Sequence, residues 1–99
     1  MQSDYPERFE RDMGCNEAEW LAGMPRAIGA HPWRRDGQRI EVDLAGGSLS
    51  ISWSPLPERR IALLRVQRLR VVFAFEGLDA EQRKAFMKPF DLSLQRGGG

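Results

Sequence analysis

Cys15 and His31 are the only cysteine and the only histidine in the 99-residue chain, so any thiol or imidazole chemistry rests on them. A nucleophilic thiol needs a base within hydrogen-bond reach and a third group to orient that base. Sixteen positions separate the two (31 − 15), and nothing supplies the third member. Cys15 therefore reads as a half-buried structural thiol. His31, beside Pro32 and Trp33, reads as a structural residue satisfied by a backbone partner. A metal site needs several converging ligands, and the acidic spacing matches no calcium loop, so no metal is expected. Ser48, Ser50, Ser52 and Ser54 form a hydroxyl row, but none lies in a nucleophile elbow. Gly46-Gly47 leads into a strand and lacks the helix N-terminus that would hold a phosphate. Glu41 and Asp43 share one face and one environment, whereas acid–base work needs two contrasting ones. The chain reads as a non-enzyme with no catalytic residue and no cofactor.

Binding is the better prospect. Arg39, Arg65, Arg68 and Arg70 can share the open face of a sheet with the serine row, an arrangement able to hold a nucleic-acid backbone. Folds that do so also place aromatics there, yet Trp53, Phe73 and Phe75 fall in the opposite, buried series. The competing expectation is a solvated face whose arginines pair across strands with Glu41, Asp43 and Glu76. Three tryptophans (Trp20, Trp33 and Trp53) crowd a small core, and exposed tryptophan marks interfaces, which singles out Trp33. A free sheet edge offers strand addition to a partner or a second copy. The expectation is a protein-binding or self-associating module, with nucleic acid through Arg65, Arg68 and Arg70 as the alternative.

The elements that position these residues follow from periodicity. Side chains two apart on a strand share a face. Ile40, Val42 and Leu44 alternate with Arg39, Glu41 and Asp43; Leu49, Ile51 and Trp53 alternate with the serines. Leu69, Val71, Phe73 and Phe75 continue the pattern. The expected fold is α+β: a four-stranded antiparallel meander, with one or two short N-terminal helices and a C-terminal helix packed on its dry face. The strands are placed at 38–44, 48–54, 61–66 and 68–76. Pro55 and Pro57 end the second, and a parity slip at Gln67-Arg68 demands a turn or sharp bulge before the fourth. Tyr5, Phe9 and Met13 at i, i+4 and i+8 suggest a short helix that Gly14 stops. Asn16 with Glu19 forms a capping box for a second helix ended by Pro25, and Asp79 with Gln82 opens the last. Residues 90–95 fit strand or helix equally. The chain reads as one domain over 1–99, with 1–15 loosely packed and 96–99 a flexible tail.

Composition sets limits. A net charge of +1 is far from the footprint of a nucleic-acid binder. The charge is uneven: residues 1–33 carry three Arg against six acids, and residues 34–70 eight Arg against four. Thirteen of fifteen basic residues are Arg, which a GC-rich genome explains as readily as bidentate recognition. One cysteine excludes an intrachain disulfide framework, no apolar run spans a bilayer, and the polar start resembles no targeting signal. A cytoplasmic protein without membrane partners is expected.

The last residues carry two resemblances. Gln95-Arg96-Gly97-Gly98-Gly99 resembles the glycine tail of ubiquitin-like and sulfur-carrier proteins, in which a terminal carboxylate is adenylated. That resemblance would put the activated carboxylate on Gly99, with Gly97 and Gly98 as its slender approach. It departs from the family in element order, ββαββ there against ααββββα expected here, and in having three glycines for two. The run from Leu69 through Asp79, with Ala85-Phe86-Met87, Phe90-Asp91-Leu92 and the terminal Arg-Gly-Gly-Gly, resembles a family of small uncharacterised proteobacterial proteins. It covers about the last 35 residues and implies no activity.

Overall fold

The computed structural model describes residues 4–97 and shows an α+β fold in the order β1(Arg8–Met13), α1(Glu17–Ile28), β2(Trp33–Asp36), β3(Arg39–Leu44), β4(Gly47–Ile61), β5(Leu64–Glu76), α2(Ala80–Gly97). The strands make one antiparallel sheet of five, ordered β1-β5-β4-β3-β2. Strands β3 to β5 hold the expected meander, whose edges are extended by β2 on one side and β1 on the other. Both helices lie on the dry face. There Ile40, Val42, Leu49, Ile51, Val71 and Phe73 of the sheet and Met24, Met87 and Phe90 of the helices are wholly buried in one cluster. The alternation read from the sequence is therefore the alternation of burial. Phe90 sits edge-on to Phe73 and to Trp20, which locks α2 to the sheet and to α1.

The sheet has five strands where four were expected, and the differences have physical causes. The segment expected as the first helix is β1, paired from Arg8↔Ala74 to Met13↔Leu69. A spacing of four is also a multiple of two, so Phe9 and Met13 satisfy a strand as well as a helix. The strand signal is masked because the inward position between them is Arg11. Its guanidinium lies 5.3 Å from the ring centres of Phe9 and Phe73 and meets Asp91 of α2 at 2.6 Å. Tyr5, also bonded to Asp91, is buried, so residues 5–13 are anchored rather than loose. Trp33–Asp36, read as a connector, is the edge strand β2.

The expected third and fourth strands are one strand, β5. Pro55 and Pro57 do not end β4. Trp53 sends its N–H to Gln38 on the β3 side, so Pro55, two residues on, turns its missing N–H to an edge with no neighbour. No turn or bulge falls at Gln67-Arg68, and β5 runs straight through. Its apolar series changes parity because Leu64 and Val66 lie beyond the core on the other face. The bulge is on β4, where Pro57 and Glu58 face Gln67 alone. The turn itself is Ala62-Leu63.

Both capping boxes form, with Asn16 and Glu19 on α1 and Asp79 and Gln82 on α2. Pro25 does not end α1, which runs to Ile28; Pro89 lies inside α2, so residues 90–95 are helical. Burial of Met87 and Phe90 on either side of Pro89 offsets a cost of about 3 kcal/mol for an interior proline. Arg96 and Gly97 belong to α2, whereas Gly98 and Gly99 lie outside the described residues.

Gly47 is the tightest glycine. A Cβ there would stand 2.1 Å from the Glu76 carbonyl oxygen, where β4 starts against the end of β5. Gly47→Ala is expected to cost about 2 kcal/mol or more and to lower Tm by roughly 8–16 °C in thermal unfolding. Gly14→Ala, which meets nothing within 4 Å, is the control and should leave Tm unchanged or slightly raised.

Candidate functional site

Alternation along the five strands places the serine row, as expected, on the face away from the helices. Ser48, Ser50 and Ser52 floor a shallow trough of about 520 Å³ with Val72 and Ala74, ringed by Arg8, Arg34, Arg39, Glu41 and Glu76. No aromatic side chain stands on this floor. By register, this face carries Arg8, Arg34, Arg39, Arg68 and Arg70 against Glu10, Asp12, Asp36, Glu41, Asp43 and Glu76. With Arg59, which reaches Asp12 at 3.9 Å from beyond the bulge, six cations against six anions make it electrically balanced, not basic.

The arginines singled out by sequence do not act together. Arg68 forks onto Asp12, with its Nε 3.1 Å from both carboxylate oxygens, and Arg70 forks onto Glu10 at 2.6 and 2.8 Å. Cross-strand pairing was the right principle, but the partners come from β1, which the sequence reading had made a helix. Arg39 pairs with Glu41 on its own strand. Arg65 leaves the group: it lines a hollow on the helix side of the sheet with Cys15, Asn16, Glu19 and Glu58.

The tryptophans separate. Trp20 and Trp53 are core residues, and Trp53 donates its indole N–H to Glu17 at 2.8 Å. The Trp20 indole N–H is buried without an acceptor among the described residues. Trp33, on the edge strand opposite Val42, is 36% exposed. Cys15 precedes α1 and His31 follows it, so the length of a 12-residue helix, about 18 Å, lies between them. The Cys15 thiol is pushed up by burial and by nearby Glu19, which disfavours the thiolate. His31 is exposed, its ring 5.5 Å from that of Phe86. Among the described residues no three His, Cys, Asp or Glu side chains are grouped to hold a metal, and no helix is long and apolar enough to cross a membrane.

What the sequence reading missed is an arm. β1 covers β5 only as far as Leu69, and β3 covers β4 only as far as Ser52. Beyond these points β4 and β5 continue alone as a two-stranded ribbon to the turn at Ala62-Leu63. This stretches a 99-residue domain to 47 Å along its longest axis. Ala62 holds φ at +55°, the sterically costly side for a residue with a Cβ. The ribbon's end is apolar and wet: Ile61 is 53% exposed, Leu63 100% and Leu64 67%. Two residues back, Arg60 and Arg65 stand directly opposite each other. The adjacent Leu63-Leu64, which fit neither phase of the alternation, were the sequence signal for this element.

The carboxylates of β1 give the sheet a pH dependence. The hydrogen bond from Arg70 holds Glu10 below the usual carboxylate range, and that from Arg68 does the same for Asp12. In unfolding, these groups bind protons more readily than in the folded state, so their contribution is present near neutrality and fades as pH falls through the carboxylate range. Thermal melts from pH 7 to pH 3 should show a Tm that declines on acidification, and an Arg68→Gln, Arg70→Gln variant should show a shallower decline. Equal slopes would mean that these pairs contribute nothing.

No protein-family model matches the chain, and neither a curated protein nor a solved structure is similar to it.

Proposed function

We propose that this chain is a non-enzymatic interaction module that docks on a protein partner through the β4–β5 arm. The observation that carries this reading is the exposure of Ile61, Leu63 and Leu64 at the end of a ribbon that no helix covers. Their combined exposed surface is on the order of 400 Å², within the range of the largest apolar patch on a monomer, which is often functional. The fold gains nothing from them, because the core closes on Leu69 and the residues after it. A two-residue turn with a positive φ at Ala62 holds Leu63 at the extreme end, where it meets a partner before any other side chain.

The other surfaces support binding less well. Trp33 is half-covered on a four-residue edge strand. The arginine face is balanced by Glu10, Asp12 and their neighbours, which weakens the nucleic-acid reading. The carrier reading depends on Gly98 and Gly99, outside the described residues.

Leu63→Ser combined with Leu64→Ser tests the arm directly. Both side chains face water, so Tm should shift by no more than the equivalent of about 0.5 kcal/mol. Association with partners, measured by affinity capture from cells and by sedimentation, should fall at least tenfold. Unchanged association would remove the arm from the mechanism, and a large fall in Tm would assign these leucines to stability instead.

A further inference from the structure

We infer that the arm's partner is an extended protein segment with carboxylate and aliphatic side chains in alternation, added as a strand along β5 from Leu64 to Arg68. The inference rests on the proposal that the arm is the docking element, and it states the chemistry of what docks there.

An open backbone edge defines the place. Phe75 sends its N–H to Glu7 on the β1 side, so by alternation the main-chain groups of every second residue back to Arg65 turn the same way. β1 receives them as far as Met13↔Leu69. The capping box of Asn16 and Glu19 then starts α1 and takes the chain off the sheet. Arg65 and Gln67 are left with N–H and C=O groups directed outward and without a backbone partner among the described residues. A hollow of about 460 Å³ lies against this edge, between Gly14, Cys15 and Asn16, where β1 ends, and Arg65, Val66 and Gln67. The β4 side of the arm offers less, because Pro55 and Pro57 lack the N–H groups that a new strand needs.

Two faces of different chemistry meet at that edge. Cross-strand partners share a face, so Ile61·Leu64 and Arg59·Val66 lie on one side of the ribbon and Arg60·Arg65 on the other. On the first side Ile61 and Leu64 are exposed, while Asp12 holds Arg68 and lies 3.9 Å from Arg59. On the second, Arg60 and Arg65 have no salt bridge or side-chain hydrogen bond among the described residues. Glu58 lines the same hollow as Arg65 but forms no ion pair with it. Like charges directly opposite destabilise a sheet, and a carboxylate beside them offsets that repulsion. A strand laid along β5 alternates its own side chains across the same two faces. Its aliphatic groups then cover Leu64 and Val66, and its carboxylates meet Arg65 with Arg60 behind it.

Net charge points the same way. Residues 56–68 carry four Arg and one Glu, a local +3, whereas the 99 residues together are +1, which leaves −2 (+1 less +3) for the rest. Counting Asp12 with the arm lowers it to +2, still the cationic end of an otherwise acidic domain. An anionic partner is steered to that end. A bilayer would accept the leucines and the cations but gives the main-chain groups of Arg65 and Gln67 nothing to bond. Single-stranded nucleic acid calls for aromatic platforms, and residues 56–68 contain none.

The probe is a fluorescein-labelled heptapeptide of alternating Val and Glu, with alternating Val–Lys and all-Glu heptapeptides as controls. In fluorescence anisotropy the Val–Glu peptide should bind the intact chain roughly tenfold more tightly than either control. Arg60→Gln with Arg65→Gln should weaken that binding roughly tenfold at an unchanged Tm. In amide hydrogen exchange the bound peptide should slow Arg65 and Gln67 and leave Leu63 unchanged. Equal binding of either control would overturn the alternating acidic–aliphatic partner, and binding without protection at 65 and 67 would overturn strand addition. No Val–Glu binding, with cellular capture still lost on Leu63→Ser, Leu64→Ser, would overturn this occupant and leave the docking reading standing. No binding, with capture indifferent to those leucines, would overturn both. Binding of the chain to phosphatidylserine vesicles or to polyuridylate, lost on Arg60→Gln with Arg65→Gln, would overturn a protein segment as the occupant.

Discussion

The antiparallel ladder between β4 and β5 is the constraint on which the rest of the molecule depends. From Ser48↔Glu76 to Leu56↔Arg68 it runs in one unbroken register. That register fixes Leu49, Ile51 and Trp53 on the same face as Val71, Phe73 and Phe75. A one-residue slip would turn all six into water. Both helices are placed by this floor, and each is tied to it by an aromatic contact: Trp20 against Trp53 from α1, Phe90 against Phe73 from α2. Gly47 and Gly77 close the end of the ladder, where no side chain fits between them.

The bulge at Pro57-Glu58 marks a change of role along the same two strands. Before it, alternation serves the core, with one face dry and one wet. After it the register shifts, and Ile61, Leu63 and Leu64 stand exposed to solvent. The same ribbon thus supplies the fold's centre and its most exposed surface. The serine trough is balanced, Cys15 and His31 lie at opposite ends of α1, and Arg68 and Arg70 are held by Asp12 and Glu10 of β1.

β1 does a second job through Arg11. An arginine facing the core side is costly unless paired, and Asp91 receives it at 2.6 Å while its guanidinium carbon lies 5.3 Å from the centres of the stacked Phe9 and Phe73 rings. Tyr5 donates to the same carboxylate, and burial together with Asp91 raises its phenol above the ordinary range. Strand and helix from the two ends of the chain are thereby fastened at one point, which is why an exposed-looking N-terminal stretch is an ordered edge strand.

The sequence by itself determined what local rules govern. Period-two alternation marked the dry faces of β3, β4 and β5, and the two capping boxes began the helices where they begin. These are legible because each depends on residues a few positions apart. The tertiary structure decided what depends on distant partners. Phe9-x-Arg11-x-Met13 becomes a strand only because Leu69–Ala74 offers an edge and Asp91 an anion. Arg68 and Arg70 are neutralised by residues 56 and 60 positions earlier. Leu63 and Leu64 count as surface only because the ribbon outruns both helices, and length relative to the core is a property of the packed molecule that no window of sequence contains.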